Sequence, residues 1–144
     1  LLMPTERDKQ AEKERVTKIS GFRVGYHDLL AEIDLPALKA RNDRWEAEHT
    51  HMTREERKQD ELYRMVAYIG GGKAAGHIAI HIHAAHACGA TKEEIYQLIK
   101  KVAPWASGPE SYQTALEAWR LVFMPDFPTV FRIVELTEDS FPAA

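Results

Sequence analysis

Three consecutive glycines, Gly70 to Gly72, stand between two stretches of helical periodicity, and they tell the chain to double back at that point. Upstream, Leu62, Met65, Val66 and Ile69 recur at three- and four-residue steps, the spacing of one helix face. Thr53 and Glu56 in "TREE" form a capping-box pattern that opens this helix. Downstream, a second helix is expected from Ala74 to about Gly89, through "HIAIHIHAAHACG". Its Ala79, Ala84, Ala85 and Ala87 suit close approach to a neighbouring helix. "GGGK" itself is no phosphate-binding loop, because neither "GKS" nor "GKT" follows and no strand precedes it. The expectation is an all-α fold built on a central antiparallel helix pair.

The rest of the chain carries helix punctuation too. "TERDKQAEKERVTKISG" starts at a possible cap, Thr5, and stops at Gly21. It is charged nearly all round, which predicts a solvated helix or a mobile arm. "YHDLLAEI" reads as a short helix or turn, and Asp34 caps "LPALKARNDRWEAEH" with Pro36 in its first turn. Thr91 and Glu94 repeat the capping box and launch "EIYQLIKKVA". Pro104 to Pro109 is a turn, and "ESYQTALEAWRLVF" is a further amphipathic helix. "TVFRIVEL" is β-branched and roughly alternating, so it predicts a short strand or an arm laid on a neighbouring subunit.

Composition removes several classes of partner. With 144 residues the chain has one domain's worth of core, and 44% hydrophobic residues is ordinary for a globular protein. A net charge of -3 offers no basic field for nucleic acid or an anionic membrane. No apolar run reaches the ~20 residues of a membrane span. One cysteine allows no internal disulfide and no cysteine-rich zinc site. "LLMPTERDKQ" lacks the charged-then-apolar order of a signal peptide, so the expected location is the cytoplasm.

The four histidines between His77 and Gly89 can be placed on a helical wheel at ~100° per residue. His77 and His81 then fall within about 40° of one another, with Cys88 between them in angle, whereas His83 and His86 point to the opposite half. A histidine pair at this spacing can chelate a divalent ion. There is no "HExxH" here, however, and a further ligand such as Glu61 would be needed, so no metal is assigned. His83 and His86 are expected to satisfy backbone carbonyls or an interface, and Cys88 to be a buried, inert thiol. His49 and His51, in the polar "EAEHTHMT", are read as loop residues that could reach an active-site mouth.

Taken in order, Glu61-Leu62, then His81 eight residues before "GATKEEI", then "PWASGP", resemble the carboxymuconolactone decarboxylase and alkylhydroperoxidase D superfamily. The resemblance spans about residues 55–122 and implies one helical domain over residues 1–144. Residues 1–52 would be an N-terminal arm and residues 123–144 a tail. The redox branch of that family carries "CxxC" ahead of the motif histidine. Ala74 and His77 occupy those places here, so the dithiol is missing. The decarboxylase branch commonly carries a glutamate where His77 stands. Trp105 replaces the usual turn tyrosine, and Gly108 is shifted by one. The chain therefore resembles the non-redox branch.

That resemblance implies a cofactor-free lyase acting on an acidic lactone or related carbonyl acid, within aromatic-compound degradation. The substrate's own carbonyl is the electron sink. His81 is the candidate proton donor, His77 the candidate oxyanion stabiliser, and Glu61 the group that orients one imidazole. Arg64 or Lys73 would hold the substrate's carboxylate, with Trp105 and Tyr112 as candidate pocket walls. It further implies a homo-oligomer, a trimer or a hexamer of trimers. Two other classes stand beside this one: an alkylhydroperoxidase-like redox protein, and a metal-binding or non-catalytic oligomeric domain using the histidine cluster.

Overall fold

The computed structural model describes residues 3–106, 108–133, 135 and 137–140. Those residues form seven α-helices, two short 3₁₀ segments and no strand. Three helices come first: α1 (Glu6–Ser20), α2 (Gly25–Ile33) and α3 (Leu35–His49). Thr5 caps α1 reciprocally with Asp8, and Gly21 ends it in the left-handed conformation at φ 83°. The Asp34 carboxylate accepts the Ala37 N–H at 3.2 Å and starts α3. The charged α1 is not a free arm. Val16 and Ser20 are buried on its inner face, and Val16 joins Ala31 and Leu38 in a small core.

The larger unit comprises α4 (Arg54–Gly70), α5 (Ala75–Ala87), α6 (Lys92–Val102) and α7 (Pro109–Phe123). At the glycine reversal, Gly71 N–H returns to Ala67 O at 2.8 Å, and Gly72 adopts φ 69°. The chain then re-enters helix as α5, which ends at Ala87 just short of the expected Gly89. Helix α5 lies between α4 and α7. Met65, Ile69, Ile78, Ile82, Ile95 and Ile99 are all but fully buried there, each worth ~1.5–3 kcal/mol of transfer free energy. The Thr91 box closes in both directions. At Thr53 only half of the expected box forms, since Glu56 takes the Thr53 hydroxyl and leaves the cap's own N–H.

The "PWASGP" turn contains a short 3₁₀ segment, Ala103–Trp105; its Ser107 lies outside the described residues. The expected tail strand does not form in the described part of "TVFRIVEL", and its Val134 and Leu136 lie outside them. The tail is fastened by charge instead. Arg120 grips Glu117 with two nitrogens, at 2.6 and 2.9 Å, and reaches Phe127 O at 2.6 Å, while Val130 N–H donates to Glu117 at 3.1 Å. That lattice holds the Glu117 carboxyl down at about 2.

The two units meet at Arg57 and Trp45. Arg57 donates to the last carbonyls of α1, Ile19 O at 3.2 Å and Ser20 O at 2.6 Å, and lies over the Trp45 ring. No helix among the described residues is long and apolar enough to cross a membrane.

Candidate active site

Glu61 and His81 stand ten residues either side of Gly71, so two helices that reverse there bring them to the same height. Glu61 faces inward on α4 and is 0% exposed, not the solvated helix-surface carboxylate its neighbours in sequence suggest. His81 faces it from α5, with Nδ1 2.6 Å from Glu61 Oε2. A carboxylate on one imidazole nitrogen fixes the ring and leaves Nε2 for chemistry.

His77 lies one turn earlier on the same face, as the wheel requires. The two rings are stacked, centroids 5.7 Å apart, and Tyr68 packs against both at 4.7 and 4.8 Å. Desolvation, then the neighbouring His81, then the charge of Lys73 hold His77 below the usual imidazole range. It is therefore neutral at pH 7, able to offer one N–H without adding a charge.

Both histidines line a cavity of about 590 Å³ bounded by α3, α4, α5 and the start of α2. Arg41, Arg44 and Arg64 line it too, with Glu48 as the one carboxylate in the lining. The aromatic wall is Phe22, Tyr26, Trp45 and Tyr68. A space of this size and charge suits a small anion with an apolar body. Arg64 is kept in place by Asp60, its Nε 2.9 Å from Oδ2.

Of the residues singled out by sequence, His77, His81, Glu61 and Arg64 come together here. Lys73 does not line this cavity. It borders a smaller one of about 140 Å³ with Gly72 and Ile78, and reaches His77 only through its charge. Trp105 is 89% exposed and is not in the lining of this cavity. Tyr112 packs on the α4–α7 core and bonds Tyr96. Among the other histidines, His86 Nδ1 donates to Ala90 O at 2.8 Å, the expected backbone role, and His83 is exposed. His49 is no loop residue: it closes α3 and is buried. Cys88 is only half-buried.

Arg41, Arg44, Trp45 and Glu48 lie within residues 1–52, the stretch the resemblance assigns to an N-terminal arm, and so fall outside the sequence-derived candidates. Their three- and four-residue spacing on α3 was the available signal.

The chain is thus an all-helical protein with a buried glutamate–histidine pair opening on an arginine-lined cavity. No family model matches it, and neither a curated protein nor a solved structure does.

Proposed function

We propose that this protein is a cofactor-independent enzyme resembling carboxymuconolactone decarboxylase, using histidine acid–base chemistry on an acidic lactone or related carbonyl acid. The observation that carries this reading is the 2.6 Å contact of His81 with the buried Glu61, at the edge of a cavity lined by three arginines. In a vinylogous decarboxylation the bond to the carboxylate breaks and carbon dioxide leaves. The electron pair runs into a dienolate whose charge rests on the lactone carbonyl oxygen. His77 donates its N–H to that oxygen, and Arg64, with Arg41 or Arg44, holds a remaining carboxylate. His81 delivers a proton to carbon, and Glu61 keeps its ring aimed.

A dithiol hydroperoxide reductase needs a second cysteine to resolve the first, and Cys88 is alone. We also read the protein as a cytoplasmic homo-oligomer, a trimer or a hexamer of trimers, which would cover exposed Leu29, Ile33, Tyr63 and Trp105.

A mass-spectrometric screen of acidic lactones and carbonyl acids, followed by carbon dioxide release, tests the reading. On the substrate found, His81→Ala should lower turnover by roughly 10²–10⁴-fold. Glu61→Gln should cost less, and His83→Ala should leave turnover unchanged. Near-native turnover in both His77→Ala and His81→Ala would sink the proposal.

A further inference from the structure

Behind the glutamate–histidine pair, the junction of α3 and α4 gathers a second set of polar atoms. His49 ends α3, while Asp60 and Glu61 are adjacent on α4. One ligand atom from each of the three lies within 4.8 Å of the others. His49 Nδ1 is 2.8 Å from Trp45 O, an atom that can only accept, so Nδ1 carries the proton and the neutral ring's lone pair is on Nε2. That Nε2 is buried, makes no hydrogen bond, and lies 3.7 Å from Asp60 Oδ2. Glu61 Oε1 is likewise buried without a hydrogen bond, because His81 has taken Oε2. Two buried acceptors at one helix junction, neither with a hydrogen bond, are costly unless something electropositive joins them.

The nearby cations do not fill that role. Arg57 Nε, itself buried and without a hydrogen bond, makes only an ion pair with Glu61 Oε1 at 3.8 Å, beyond hydrogen-bond reach, because Nη1 and Nη2 are tied to Ile19 O and Ser20 O. Arg64 is engaged with Asp60.

We propose that His49, Asp60 and Glu61 form a site for one divalent transition-metal ion of the zinc or cobalt kind, clamping the end of α3 to α4. One imidazole and two carboxylates are a borderline donor set, which suits these ions better than magnesium or calcium. The outer contacts fit as well. Trp45 O fixes the imidazole tautomer, and His81 and Arg64 orient the two carboxylates. With metal–ligand bonds near 2.1 Å, tetrahedral ligand atoms stand about 3.4 Å apart, so atoms now within 4.8 Å of one another need to close by no more than about 1.4 Å. Two guanidiniums already balance the two carboxylates, so the ion arrives as excess charge. Binding should accordingly be moderate and favour metals that bond imidazole strongly. The site shares Glu61 with the cavity but does not depend on what the cavity binds.

The test titrates the chelator-stripped full chain with Zn²⁺, Co²⁺ and Mg²⁺ by calorimetry. One equivalent of Zn²⁺ or Co²⁺ per chain is expected, with a visible d–d band for Co²⁺ and no binding of Mg²⁺. His49→Gln and Asp60→Asn should each weaken Zn²⁺ binding roughly tenfold or more, and the double change His83→Gln, His86→Gln should not. Circular dichroism checks that each variant is folded. Should His49→Gln not fold, long-range ¹H–¹⁵N spectra of the unaltered protein decide. Zn²⁺ must then move the His49 Nε2 resonance and leave Nδ1 protonated. The proposal is overturned if neither Zn²⁺ nor Co²⁺ binds, if His49→Gln binds Zn²⁺ as the parent does, or if the ion perturbs other histidines and not His49.

Discussion

His27 shows how a single side chain couples this fold to pH. It is 0% exposed, and its Nδ1 accepts the Val24 N–H at 3.0 Å, doing at the start of α2 what a capping carboxylate does elsewhere. Burial first, then the charge of Arg41, bring its pKa from 6.5 to about 4. The folded protein therefore refuses a proton that the unfolded chain accepts below about 6.5. Stability is highest above that value and falls by about 3 kcal/mol between pH 7 and pH 4 from this group alone. Urea unfolding at several pH values should show the loss, and His27→Gln should flatten that part of the curve. At this scale the sequence was readable where geometry is local. His77 and His81 share a face because helix spacing demands it. Glu61 was legible as a partner but not as a buried group, since its burial also needs the end of α3 beside it, which no local pattern reports.

The elements were legible through their ends. Thr5, Asp34, Thr91 and Gly21 mark boundaries by chemistry that acts within four residues, so their helices start and stop where expected. The β-branched tail misled because alternation alone cannot supply a partner strand, and Glu117 and Arg120 fasten it as an irregular segment. The reversal between α4 and α5 rests on Gly72 at φ 69°, a conformation that costs other residues ~1–2 kcal/mol. Gly72→Ala should lower stability by about that amount, read from the thermal midpoint. Gly70 has ordinary helical geometry with open space around its Cα. Gly70→Ala should therefore hold the midpoint or raise it, stability gaining up to ~1 kcal/mol. If the two changes behave alike, the reversal is not what sets the helix pair.

For the whole molecule, Tyr63 at 74%, Ile133 at 73% and Trp105 at 89% exposure leave apolar surface that association would cover. Light scattering at micromolar concentration should give a trimer or hexamer; a 16.4 kDa particle would refute the oligomer. The arginine-lined cavity was the least legible feature, because its walls come from both helical units and only their docking brings Arg41 and Arg44 opposite His77. That docking runs through Arg57, whose bonds to Ile19 O and Ser20 O span 38 and 37 residues of chain, whereas Glu61 and His81 are 20 apart. Local contacts close faster than distant ones. The hairpin of α4 and α5 should therefore zip up early, with its carboxylate still wet, and become a working pocket only when the first three helices clasp it. Assembly of the chain, in this protein, is also the act that dries the site.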